Sequence, residues 1–222
     1  MTESNDIQVK EQINIRLVLD RSGSMASCRD ITINSINTFI EDQQKKQLIG
    51  ALTISLFDSV SIDIPISKEP LNKVKPLTNE FLEPRGATPL LDAIGLAIHD
   101  LEKNSIQEDE KKVLVIVTDG LENASREYNP DSIRQLIKEK TENGWLIIYL
   151  GADHDAIFQS RRLGFEFEKS LHYSKRDSID AFKSVTRTID DYSKGTRSKN
   201  IRFTQTERDK SNKQSPMFFE EE

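Results

Sequence analysis

A single cysteine, Cys28, is all the thiol that 222 residues hold, so an internal disulfide is excluded and a structural zinc cluster has no cysteine pair to build on. With no histidine near it in sequence, Cys28 is expected to pack at the start of a helix. No stretch approaches the roughly 18 consecutive apolar residues of a membrane-spanning helix. The opening MTESNDIQVKEQ lacks the basic and apolar regions of a signal peptide, so a cytoplasmic location is expected and a membrane partner is not. Nor is there a surplus of positive charge. Lys and Arg number 31 against 37 Asp and Glu, interspersed to a formal net charge of -6, which argues against nucleic acid as a partner. A G-x-x-x-x-G-K-[ST] loop and a G-x-S-x-G elbow are both missing, which removes the best signals for a P-loop nucleotide enzyme and for a serine hydrolase.

What is present suits a globular core: 36% of residues are apolar and 31% charged, without internal repeats or low-complexity tracts. The spacing predicts a strand over INIRLVL (13–19) and a helix from about Arg29 to Gln44 with Ile33, Ile36 and Ile40 on one face. ALTISLF (51–57) and VSIDIPI (60–66), separated by Asp58 and Ser59, read as a hairpin whose second member, holding Pro65, is an edge strand. Leu91, Ile94, Ile98 and Leu101 make the next helical stripe, with Thr88 expected at the N-cap and Pro89 at the first helical position. VLVIVTDG (113–120) and WLIIYLG (145–151) are continuous apolar runs, as in parallel strands covered on both faces, and between them Pro130 opens a helix that Gly144 ends. A short helix with Ile157 and Leu163, a last strand over 165–171 and a final helix over 177–194 complete the pattern. The order predicts an α/β fold: an open, mostly parallel, Rossmann-like sheet with one antiparallel edge strand and helices on both faces, occupying residues 1–194. Residues 195–222 read as a polar, flexible extension ending in PMFFEEE, a frayed terminus or a short docking motif.

In such sheets ligands bind beyond the carboxyl ends of the strands, where strand order reverses. The loops after Leu19 and after Thr118 both begin with an aspartate, Asp20 and Asp119. Two carboxylates at neighbouring strand ends repel unless a cation lies between them. Ser22 and Ser24, two apart with Gly23 relaxing the turn, can aim their hydroxyls the same way. Oxygen donors with few charges suit a hard ion, Mg2+ or Mn2+, with water completing the coordination; the sequence does not separate these from Ca2+.

DRSGSM (20–25), GATPL (86–90) and TDG (118–120) resemble the three loops of the metal-ion-dependent adhesion site (MIDAS) of von Willebrand factor type A domains. The family pattern is Asp-x-Ser-x-Ser, then a Thr, then an Asp, and all five positions are filled. The resemblance implies that Asp20, Ser22, Ser24, Thr88 and Asp119 bind the metal, the hydroxyls directly and the aspartates directly or through water. It also implies a protein partner whose acidic side chain completes the coordination, and a setting among small intracellular relatives in stress-response or phage-encoded systems. In the same family, engagement of the metal can move the last helix.

Each residue also has a plainer reading. Thr88 suits a helix cap, Asp119 a turn before Gly120, and Ser22 and Ser24 a cap for the next helix. The chemical alternative is a Mg2+-dependent phosphotransferase of the haloacid dehalogenase type, with Asp20 as nucleophile. Its general acid would stand at Ser22, which cannot serve near neutral pH, and no later lysine lies in an evident motif. An accessory subunit beside a separate ATPase is the third reading. GADHDA (151–156) offers His154 between aspartates, but Asp153 as a helix cap is the simpler reading, and His99 and His172 read as surface residues without partners. The basic run from Lys183 to Arg202, broken by Asp190 and Asp191, reads as a solvated helix face and linker.

Overall fold

Eight consecutive buried residues form strand β1 (Ile13–Asp20), the centre of a sheet covered on both sides. The structure, a computed structural model, describes residues 12–104, 110–152 and 154–213. Strand β1 pairs in parallel with β2 (Gly50–Phe57) on one side and with β4 (Lys111–Thr118) on the other. Beyond β2 lies the antiparallel edge strand β3 (Ile62–Pro70); beyond β4 come β5 (Leu146–Gly151) and the short β6 (Ser170–His172). The order β3-β2-β1-β4-β5-β6 places the reversal between β1 and β4, so their carboxyl ends are where a ligand is expected.

Alternation along β1 divides the core. Ile15, Leu17 and Leu19 face helices α1 (Arg29–Lys45) and α5 (Ser178–Ser193), among Ile33, Ile36, Phe39, Phe182, Val185 and Ile189. Val18 faces the other layer, α2 (Leu90–Lys103) and α3 (Pro130–Glu142), joined by α4 (His154–Arg162), with Leu91, Ile94, Ile98, Ile133 and Ile137. Each such side chain, fully buried, contributes about 1.5–3 kcal/mol. Arg16 interrupts the apolar run and is itself buried; its Nη1 donates to Asp100 Oδ2 of α2 at 2.5 Å.

Gly95 lets α2 approach the loop before α3. A Cβ there would lie 2.5 Å from ring carbons of Tyr128, and the ring belongs to a segment whose backbone is bound to Asp92. Gly95→Ala is therefore expected to cost about 1–3 kcal/mol through overpacking, measured as a lowered urea midpoint with unchanged slope.

Several expectations need correction. Helix α2 starts at Leu90, with Pro89 at ψ 65 outside it and no side-chain cap from Thr88. Its first N–H groups are met across space instead, Leu91 by Glu122 Oε2 and Ser125 Oγ, and Asp92 by Ser125 Oγ. The strand expected over 165–171 is only Ser170–His172, preceded by a 3-10 turn at Phe167–Lys169. Phe165 packs on Tyr149 with ring centroids 4.8 Å apart, and Phe167 is stacked by Arg161 and Arg208, so the apolar residues there serve packing and not a ladder. His172 has a partner, Asn212, at 2.9 Å. Residues after 195 continue onto the domain: Ile201 and Phe203 enter the core, and helix α6 (Gln205–Ser211), capped by Thr204 and Glu207, packs on α5. Asp153 and the PMFFEEE segment lie outside the described residues. Among the described residues no helix is long and apolar enough to cross a membrane.

Candidate metal centre

Asp20 is the last residue of β1, and alternation turns its side chain up from the sheet while Arg21 is turned away and Ser22 back again. The carboxylate is fully buried. Its Oδ1 accepts from the Ser22 backbone N–H at 2.7 Å and its Oδ2 from Thr118 Oγ1 at 2.6 Å, across from the end of β4. Burial pushes its pKa up to about 6 against those hydrogen bonds, with Asp119 adding to the rise. Among the described residues, no basic side chain pairs with it. Ser22 and Ser24 lie with their hydroxyls 3.1 Å apart, and Ser24 Oγ donates to Asp119 Oδ1 at 2.5 Å. Neither serine makes a side-chain cap to the 3-10 turn Gly23–Cys28 or to α1, so the capping reading fails for both. Cys28 is buried just before α1, as expected.

Backbone contacts fix the three loops against one another. Arg85 N donates to Arg21 O at 2.8 Å and Gly23 N to Gly86 O at 3.1 Å, tying the second loop to the first. Gly86 takes φ +67, and a Cβ there would meet Ser59 Oγ at 2.5 Å, so only glycine fits without strain. Thr88 N donates to Asn123 Oδ1 at 2.8 Å, and Asn123 N returns a bond to Thr88 O at 3.1 Å, tying the second loop to the third. The Thr88 hydroxyl then converges on the others. A Cβ built on Gly120 would lie 3.5 Å from Thr88 Oγ1, 3.8 Å from Ser24 Oγ and 4.0 Å from Asp20 Oδ2. Three of the five expected donors thus lie around Gly120, whose missing Cβ leaves room, and Ser22 and Asp119 join them through Ser24.

Behind the loops stands a charged brace. Arg21 Nε donates to Asp58 Oδ2 at 2.6 Å and Arg85 Nε to the same oxygen at 3.0 Å; Asp58 Oδ1 accepts from Val60 N and Ser61 N. Burial opposes ionisation of Asp58, but these donors outweigh it and hold its carboxyl below the usual range.

Sequence reasoning missed three members of this constellation. Thr118 supports Asp20 and also accepts from Gly120 N. Asn123 locks Thr88. Lys175, in a 3-10 turn Lys175–Asp177 between β6 and α5, places Nζ 2.7 Å from Asp119 Oδ2 and 2.8 Å from Ser27 Oγ. The signal available for Lys175 was its place in a loop after a strand, at the same sheet edge. Among the described residues no group of three or more His, Cys, Asp and Glu is arranged for a metal, so hydroxyls must contribute to any such site. Two carboxylates, three hydroxyls and a space between them fit a hard divalent ion. A lysine does stand at this centre, but on Asp119; Ser22 still occupies the place of the general acid that a phosphotransferase requires.

No protein-family model matches the sequence, and neither does any curated protein. Solved structures do match. A von Willebrand factor type A structure from Catenulispora acidiphila superposes with TM-score 0.59 at 12% identity, over 80% of this chain and 42% of that one. The manganese-loaded TRAP protein of Plasmodium vivax gives 0.57 at 16% identity, over 80% and 74%. Proximal thread matrix protein 1 from the mussel byssus, with a zinc-occupied MIDAS motif, gives 0.53 at 14% identity, over 83% of this chain but only 46% of its own. The chain therefore spans less than half of two of these proteins, and at such identities the likeness is one of fold. With six strands in this order and helices on both faces, the chain has the von Willebrand factor type A fold.

Proposed function

We propose that this chain is a metal-dependent protein-interaction module, in which Asp20, Ser22, Ser24, Thr88 and Asp119 hold a divalent cation and a partner protein supplies an acidic side chain to it. The observation that carries the reading is Asp20: a carboxylate sealed from water, unpaired with any basic group among the described residues, and aimed with hydroxyls of two loops at one gap. Similar folds with manganese or zinc bound support a divalent ion at this place, with Mg2+ the choice for a set of oxygens alone. Bound there, a divalent ion presents positive charge and open coordination positions to a carboxylate. The chain's own residues do the rest. Ser22 N–H and Thr118 Oγ1 orient Asp20, Ser24 orients Asp119, and Asn123 fixes the backbone of Thr88. No catalytic role is proposed: Ser22 stands where a phosphotransferase would need its general acid.

Thermal unfolding tests this directly. At about 100 times its Kd, an ion that binds only the folded state adds roughly 2.7 kcal/mol, a rise of about 5–10 °C in Tm for a domain of this size. Mg2+ or Mn2+ should produce that rise over EDTA in the wild type and none in Asp20→Ala. A wild type that does not respond to either ion would refute the reading.

A further inference from the structure

The loop between β6 and α5 brings a positive charge directly onto one of the expected donors, whereas Arg21 and Arg85 are engaged by Asp58. Lys175 Nζ contacts Asp119 Oδ2 at 2.7 Å; the side chain of Asp119 is 1% exposed and that of Lys175 37%, so the ammonium bridges solvent and buried carboxylate. The backbone on either side of Lys175 is pinned. Tyr173 N donates to Gly151 O at 3.0 Å, Ser174 N to Ser211 O at 2.8 Å and Asp177 N to Ser174 O at 2.9 Å, while the Asp177 side chain accepts through Oδ2 from Lys213 N at 3.2 Å. The reach of Lys175 into the centre is thus set by the fold, including the segment that carries α6.

Resting on the metal reading above, we propose that Lys175 is a tethered counter-ion that trades metal affinity for attraction of the acidic partner. Among the described residues the ammonium offsets part of the negative charge of Asp20 and Asp119, so Lys175 weakens their pull on a divalent ion. Once an ion is held, the same ammonium makes the centre more positive by one charge than the ion and two carboxylates alone would be. An incoming carboxylate therefore meets two cations, the ion and the Lys175 Nζ beside it. Asp119 is the residue on which both effects converge, its Oδ1 taken by Ser24 and its Oδ2 by Lys175.

The test compares wild type with Lys175→Met and Lys175→Arg in two titrations: Mn2+ alone, by calorimetry, and acetate into the Mn2+-loaded chain, by the relaxation of Mn2+-bound water. Lys175→Met should bind Mn2+ on the order of tenfold more tightly and acetate more weakly, while Lys175→Arg stays near wild type in both. Effects of opposite sign are what a purely structural lysine cannot give. If Lys175→Met leaves Mn2+ affinity unchanged or lower while its Tm in EDTA matches wild type, or if acetate affinity does not fall, the proposal is wrong and the metal centre stands. If neither wild type nor Lys175→Met binds Mn2+, both readings fall together.

Discussion

Asp58→Ala is expected to cost about 3–5 kcal/mol of stability and to weaken metal binding in whatever fraction remains folded. The carboxylate has no exposure and accepts four hydrogen bonds, from Arg21, Arg85, Val60 and Ser61. Arg85 is half exposed and can turn to water, but the Arg21 side chain is 9% exposed and would keep only Ser61 and the half-exposed Asp63. An arginine left without its buried partner is the large part of the cost. The consequence at the metal centre follows from chain order, because Arg21 lies between Asp20 and Ser22 and its carbonyl receives Arg85 N. Urea unfolding of Asp58→Ala and Arg85→Ala should rank them clearly, with Arg85→Ala near 1 kcal/mol or below, as for an exposed pair. The sign with pH is also set. Because the folded state holds the Asp58 carboxyl below its ordinary value, its contribution is present above that ordinary value and is lost as pH falls through the folded one.

Much of this was legible in the sequence because the fold writes itself in periodicity. Continuous apolar runs identified β4 and β5, a β-rich run ending at a turn identified β1, and Pro130 marked α3, where Asn129 closes a capping box with Ser132. The clustering of Asp20, Ser22, Ser24, Thr88 and Asp119 was legible too, since each follows a strand or precedes a helix at the same sheet edge, and chain order alone puts them there. What was not legible depends on distance in space. Lys175 is 56 residues from Asp119, and its place in a loop after a strand was too weak a signal to set it apart from neighbouring surface lysines. The first turn of α2 looked capped by Thr88 because its actual acceptors, Glu122 and Ser125, come from another loop. In the segment after Gly195, two apolar residues, Ile201 and Phe203, were too few to signal a buried stretch, although the Thr204 and Glu207 spacing is a helix-start signature that could have been read.

Without metal, Asp20→Asn is expected to be more stable than wild type at neutral pH, the reverse of what loss of a native carboxylate usually does. Burial raises the Asp20 pKa to about 6 from 3.8, so between those values the folded state binds more protons than the unfolded one. Stability must then fall as pH rises through that window, and above about 6 the full penalty of a buried charge is present. The shift corresponds to at most about 3 kcal/mol. Asparagine keeps the shape without the charge, and the Thr118 hydroxyl can turn to accept from its amide, so the variant's stability should lack this downward slope. If the proposed ion binds, it is expected to reverse the order. Binding requires the ionised form, so protons compete, and the apparent Kd of wild type should weaken about tenfold between pH 7 and pH 5. Unfolding curves from pH 4 to 8 in EDTA and in Mg2+ should therefore cross. Wild type lies below Asp20→Asn in EDTA above pH 6 and above it in saturating Mg2+, because the ion turns the same buried charge from a cost into the attraction that holds it. Curves that stay parallel would mean that Asp20 is an ordinary buried turn residue whose charge no cation was meant to meet.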